Sequence, residues 1–359
     1  MRAAALTLTL AAVGCAGHHE SRGAEPPPVD VSRSESEPAA PAGSEVARTE
    51  RWSFHSNLLF NLHHFVFQCA KTLASRDGED VPDRPVAVAE IGLVDALAGT
   101  ERETWYTAIG FYRREAIARD LLFDGTMYRL KQQLTAIDDP LGEWPAELDV
   151  GYAGALRAAL PVYRTRFWPA HDRSNRAWIA AATSRLGRYE ATLASRLERA
   201  YGGRWPAAPV RVDVCAYANW AGAYTTGGPA HVTLSSTDPN ARGDAALETL
   251  FHEVSHTREM FGPLRAALAS AFEAIGAEAP RDLWHLLMFE AAGEAVRRTL
   301  AADGIAGYVH YGDRTGMYRR GAWATHQPLV STGWRAFLDG SIDRATALAR
   351  IAAAVSSDG

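Results

Sequence analysis

The stretch that most restricts how this chain can fold is Thr249-Leu250-Phe251-His252-Glu253-Val254-Ser255-His256. Two imidazoles four residues apart lie one turn above each other on a helix face, a spacing that lets both bind one Zn²⁺. Glu253 then projects beside the metal, where it can take a proton from a water held there. The flanking residues favour a helix. Asp238-Pro239 offers a start, while Ala245, Ala246, Leu247, Leu250 and Phe251 are good helix formers. Gly262-Pro263 reads as the stop, which predicts one helix over about 244–261. The alternative is a surface helix whose two histidines are merely solvated.

The chain begins with Met1-Arg2 and an apolar run, Ala3 to Val13, too short to span a bilayer as a stable helix. Residues 1–15 therefore read as a signal segment. The run Ala12-Val13-Gly14-Cys15 resembles the lipobox of bacterial lipoproteins, in which the cysteine is lipidated. That resemblance implies an extracytoplasmic protein, in the periplasm or at the cell surface, touching the membrane only through the anchor on Cys15. Residues 16–48 lack aromatics and are rich in Pro, Ser, Glu, Ala and Gly. Such a composition cannot bury enough apolar surface to offset the entropy of ordering, so a disordered linker with a reach on the order of 30 Å is expected.

Beyond Arg48 the character changes, and Trp52, Phe54, Leu58, Leu59, Phe60, Phe65, Val66 and Phe67 open a core-forming helix. The rest suits one large domain or two packed halves: a helical half over 49–205 and a second half over 206–359. The net charge of −5, without a Lys/Arg cluster, argues against nucleic acid as a partner. After Cys15 only Cys69 and Cys215 remain, and sequence leaves their pairing open.

Helical periodicity runs through 54–75, 101–119, 149–164 and 172–201. The period then changes: Val210, Val212 and Val214 alternate with Arg211, Asp213 and Cys215, as in a half-buried strand. The Gly-rich passage Asn219 to Gly228 leads to a second strand, Ala230 to Ser236. After the His-Glu-x-x-His helix come helical patterns at 263–276 and 281–302, a Gly/Tyr-rich loop at 303–322, and a last helix near 342–355. The fold class expected is α+β, mainly helical. His55, His63 and His64 lack the i,i+4 spacing and read as cleft-wall or hydrogen-bonded core histidines, and His171 as a helix-start feature.

A strand pair, an HExxH helix and a later helix carrying glutamates together resemble the gluzincin class of zinc metallopeptidases, over about 210–300. The resemblance implies a zincin-like catalytic half with a small sheet, a Zn²⁺ cofactor, a peptide or protein substrate, and a third ligand that is a glutamate. Glu290 and Glu294 are the candidates, four residues apart on an apolar stripe where an unpaired carboxylate would be costly; the alternative is that these glutamates are structural and paired with Arg297 or Arg298. The thermolysin-like arrangement makes Glu290 the ligand and Glu294 its support. The small tract Ala291-Ala292-Gly293 favours the reverse, since it lets helices approach closest beside Glu294. His285 points roughly opposite these glutamates and is set aside.

The implied chemistry is hydrolysis by an activated water, with Glu253 as general base and Ala230 to Ser236 offering backbone hydrogen bonds to an extended substrate. The loop Gly307-Tyr308-Val309-His310-Tyr311 offers oxyanion donors, of which Tyr311 and Tyr308 are the candidates. A reading from another class is a surface lipoprotein that binds a protein or glycan and keeps a structural or inactive zinc.

Overall fold

The computed structural model describes residues 44–79 and 84–357. The expected signal segment, Cys15 and most of the expected linker lie outside the described residues. The last residues of that expected linker form a strand, β1 (Glu45–Arg48), which pairs antiparallel with β2 (Trp52–His55). The first helix therefore begins later than its apolar residues suggest. α1 (Leu58–Arg76) starts after Asn57, whose side chain accepts from Phe60 N at 2.9 Å.

Four helices follow: α2 (Val88–Asp95), α3 (Gly99–Glu115), α4 (Gly125–Thr135) and α5 (Val150–Arg166). Then comes the long α6 (Trp168–Tyr201), ended by Gly202 in the left-handed region. Three strands come next, β3 (Val210–Cys215), β4 (Ala223–Thr226) and β5 (His231–Ser235). The C-terminal part is helical: α7 (Ala245–Ser255), α8 (Arg258–Glu273), α9 (Leu283–Ala302), the single turn α10 (Tyr311–Arg314), α11 (Trp323–Leu338) and α12 (Arg344–Ser357). The protein is thus α+β and mainly helical, with a small mixed sheet.

The sheet runs β1-β2-β3-β5-β4, with β2, β3 and β5 parallel and each outer strand antiparallel to its neighbour. β5, expected to face an extended substrate, is interior and paired on both sides. The edge strand on that side is β4, a short element inside the Gly-rich passage.

Two hydrophobic cores divide the chain. One gathers α1 to α5 around Phe65, Trp105 and Tyr163. The other takes Trp52 and Phe54, the buried apolar stripe of α6, the inner face of the sheet, and α7, α8, α9, α11 and α12. The stretch 49–205 is therefore shared between the two cores. α6 packs with the C-terminal elements because Trp178, Ile179, Leu186, Leu193 and Leu197 lie along one face.

The helix expected over 244–261 is broken. α7 ends at Ser255, whose hydroxyl donates back to Phe251 O at 2.7 Å. Thr257 is extended, and a new helix, α8, runs through Gly262 and Pro263. The proline is tolerated because the carbonyl four residues earlier, Glu259 O, accepts from Arg204 N at 3.0 Å instead. That chain crossing requires Gly203: a Cβ there would sit 1.9 Å from Met260 O.

Candidate metal centre

α7 is buried nearly all round, with Thr249 its one residue that is not. Leu250, Phe251 and Val254 are fully buried and would each contribute about 1.5–3 kcal/mol by burial. It packs against α6, α9 and β4, and its polar residues meet groups that these elements and the loop leading into α10 present.

His252 projects from the last turn of α7, and His256 from the residue that closes it. The third group is His285, in the first turn of α9. The Nε2 atoms of His256 and His285 each lie 3.3 Å from that of His252. The three ligand atoms are all within 4.8 Å of one another. A tetrahedral zinc with Zn–N arms of about 2.0–2.1 Å has ligand-to-ligand edges of roughly 3.3–3.4 Å, so the two separations from His252 fit that ion. His252 is buried, His285 half-buried and His256 exposed. Burial, with the two neighbouring imidazoles, holds the His252 pKa well below its ordinary value, so the ring is neutral, the form that ligates. Phe289, one turn beyond His285, stacks on His252 with ring centroids 3.8 Å apart. Trp323 meets both His285 and Phe289 edge-on at 5.8 Å.

Neither glutamate of α9 joins the imidazoles. Glu294 is fully buried but enclosed: Arg297 donates to both of its oxygens at 2.7 Å and Arg298 to Oε2 at 2.9 Å. His310 Nε2 stands 3.3 Å from Glu294 Oε1, an ion-pair contact without hydrogen-bond geometry. Glu290 accepts from Gln327 Nε2 at 2.6 Å, with the Tyr318 hydroxyl also within its reach. The small tract does permit a close approach, because a Cβ on Gly293 would lie 2.6 Å from His310 Cγ and 3.0 Å from Glu248 Oε1. What approaches there is the loop carrying His310, not the metal centre. His285 does point away from the glutamates, as the helical wheel requires. The structure turns that face of α9 toward α7, so the residue set aside on sequence is the one that meets the histidine pair.

Glu253 is held by β4. Thr225 Oγ1 lies 2.8 Å from Glu253 Oε2 and 2.9 Å from its carbonyl oxygen. Burial pushes the Glu253 carboxyl up to about 7, a rise that the Thr225 hydrogen bond and the charge on Lys131 only partly oppose. A carboxyl poised there can both accept and return a proton near neutrality. Thr225 gave no sequence signal, since its role depends on which strand lies at the edge.

The two tyrosines take different places. Tyr308 donates its hydroxyl to Glu248 Oε2 at 2.6 Å. Tyr311 lies with its ring nearly parallel to Phe289, centroids 5.8 Å apart, and its hydroxyl is hydrogen-bonded by Arg84, within electrostatic reach of Glu253.

His63, His64 and His171 are hydrogen-bonded core groups, on Tyr112 OH, Tyr224 OH and Glu90 respectively. Cys69 and Cys215 are both buried and free. Among the described residues no helix is long and apolar enough to cross a membrane. No protein-family model matches the chain, and neither does any curated protein or solved structure.

Proposed function

We propose that the protein is a zinc-dependent hydrolase of peptide bonds, with the ion held by His252, His256 and His285. The observation that carries this reading is the convergence of three imidazoles, with His256 and His285 Nε2 each 3.3 Å from His252 Nε2, beside a buried carboxyl of near-neutral pKa. Structural zinc sites are closed by four protein ligands. Among the described residues no fourth Cys, Asp, Glu or His joins these three, which weighs against the reading as a binding protein with a structural zinc.

When bound, zinc would supply a Lewis acid that acidifies water and polarises a carbonyl. Glu253 takes the proton from the attacking water and passes it to the leaving amine. Thr225 keeps the carboxylate aimed while it does so. Tyr311, beside Phe289 and near Glu253, is placed to donate to the carbonyl oxygen as charge develops on it. β4, rather than β5, offers the edge to which an extended peptide can pair. The gluzincin resemblance then extends only to the HExxH helix, with a histidine in the role of the expected glutamate. Lipid anchoring outside the cytoplasm remains part of the proposal and rests on residues 1–15 alone.

The test is elemental analysis of the purified chain combined with turnover of a mixed peptide library. One zinc per chain and cleavage that Glu253→Gln abolishes without releasing zinc are expected. Parental rates from Glu253→Gln would refute the reading.

A further inference from the structure

Glu248 sits one helical turn before His252 on α7, is 1% exposed, and takes no part in the three-histidine centre. Its carboxylate gathers donors from one loop. Tyr308 OH donates to Oε2 at 2.6 Å, and the backbone N–H of Tyr311 is shared between Oε1 at 2.9 Å and Oε2 at 2.8 Å. Burying a carboxylate in an apolar helix is costly unless donors surround it, so these contacts fix how the loop sits on α7. The far side of the group is closed by Gly293 of α9, where a Cβ would come within 3.0 Å of Glu248 Oε1.

The consequence is a fixed linkage. One turn of α7 separates the residue that anchors the Tyr311 backbone from the first imidazole of the centre. On the other side, the Tyr311 ring lies against Phe289, which in turn lies against His252. Tyr311 is thereby held from two directions, by its N–H through Glu248 and by its ring through Phe289. Without the first restraint the N-terminal side of Tyr311 would lose its tie to α7, leaving its ring contacts, the Arg84 hydrogen bond and the Thr315 bonds to its carbonyl, which lie within the same turn.

We propose that Glu248 is a positioning residue that sets where the Tyr311 hydroxyl stands relative to the three histidines. The proposal rests on the hydrolase reading for its catalytic consequence, but not for its structural one. Displacements of about 1 Å at a reacting centre can cost on the order of 100-fold in rate.

The experiment compares Glu248→Ala, Glu248→Gln, Tyr311→Phe and the double variant Glu248→Ala/Tyr311→Phe. Zinc content, kcat and KM are measured on each, together with a crystal structure of zinc-loaded Glu248→Ala. Zinc content equal to the parent's is expected, with KM within about twofold and kcat reduced about 10–100-fold, less in Glu248→Gln, which retains one acceptor. The double variant should be no slower than Tyr311→Phe alone, and the crystal structure should show the Tyr311 ring displaced from Phe289. Multiplicative losses in the double variant, or a Tyr311 ring unmoved in Glu248→Ala, would overturn the proposal. If the parent binds zinc yet cleaves no peptide, the hydrolase reading fails, and the position of Tyr311 in the Glu248→Ala structure alone decides the role of Glu248. Should the Glu248 variants unfold, the comparison passes to Tyr308→Phe, which removes one of the two donors. The Tyr311 ring should shift there too, and a ring left in place would count against the proposal.

Discussion

His285 Nε2 lies 3.3 Å from His252 Nε2, although the two residues belong to different helices, while Glu294 on the same helix as His285 is enclosed by Arg297 and Arg298. The two side chains of α9 should therefore respond oppositely to substitution. His285→Ala is expected to weaken zinc binding by more than the roughly 10–100-fold that loss of an outer partner costs. Glu294→Ala should leave zinc affinity unchanged and instead lower stability by about 1–3 kcal/mol, through the donors left unpaired. Chelator competition and urea denaturation on both variants separate these effects. Zinc loss in Glu294→Ala with retention in His285→Ala would show that the glutamate is the ligand.

Thr225 reaches the Glu253 carboxylate from the sheet edge at 2.8 Å. Thr225→Val keeps the shape of the side chain and removes the hydroxyl. A kcat reduced about tenfold is expected, near the strength of one hydrogen bond to a charged group, with zinc content unchanged. Thr225→Ser should restore most of the rate. Equal kcat for Thr225→Val and the parent would mean that Glu253 is held by other contacts.

Gly293 lies inside α9, where alanine would ordinarily favour the helix by about 1 kcal/mol. Here the added methyl would meet His310 Cγ at 2.6 Å and Glu248 Oε1 at 3.0 Å. Overpacking should outweigh propensity, and Gly293→Ala is expected to lose about 1–3 kcal/mol in urea denaturation. A more stable variant would show that the loop carrying His310 can move aside without cost.

His231 of β5 provides a pH test away from the three-histidine cluster. Its Nε2–H donates to Asp213 Oδ2 at 2.6 Å and its Nδ1 lies 3.3 Å from the Gln132 amide. Burial, then the charge on Lys131, pushes the imidazole down to about 4 despite the Asp213 hydrogen bond. An unfolded histidine titrates near 6.5, so the unfolded chain takes up the proton first as the solution is acidified. The stability tied to this group is complete above about pH 6.5 and is lost as pH falls toward 4. Between pH 7 and 5 the parent should lose about 2 kcal/mol more than His231→Gln, measured by chemical denaturation at each pH. Identical pH dependence of the two proteins would show that the imidazole is not held neutral.

Local physics made much of this protein readable from its residues. The alanines and leucines around His252 required a helix, and a helix required both histidines on one side. Alternating valines at Val210, Val212 and Val214 required a strand, now β3 in the middle of the sheet. The predominance of helix followed from long 3.6-residue periodicity. Which face of α9 meets α7 could not be read this way, because periodicity groups residues by side and does not orient the side. Glu290 and Glu294 share a face, but Arg297 and Arg298 at the next turn satisfy Glu294 within its own helix, leaving the opposite face, with His285 and Phe289, for the histidine pair. The order of the strands was equally hidden: β4 is too short to announce itself, and it lies at the edge only because β5 is parallel to β3 and leaves its other side to β4. Sequence placed two imidazoles and a carboxylate on one turn; long-range packing selected the third imidazole, since a candidate ligand set from separate helices exists only once their buried faces have found each other.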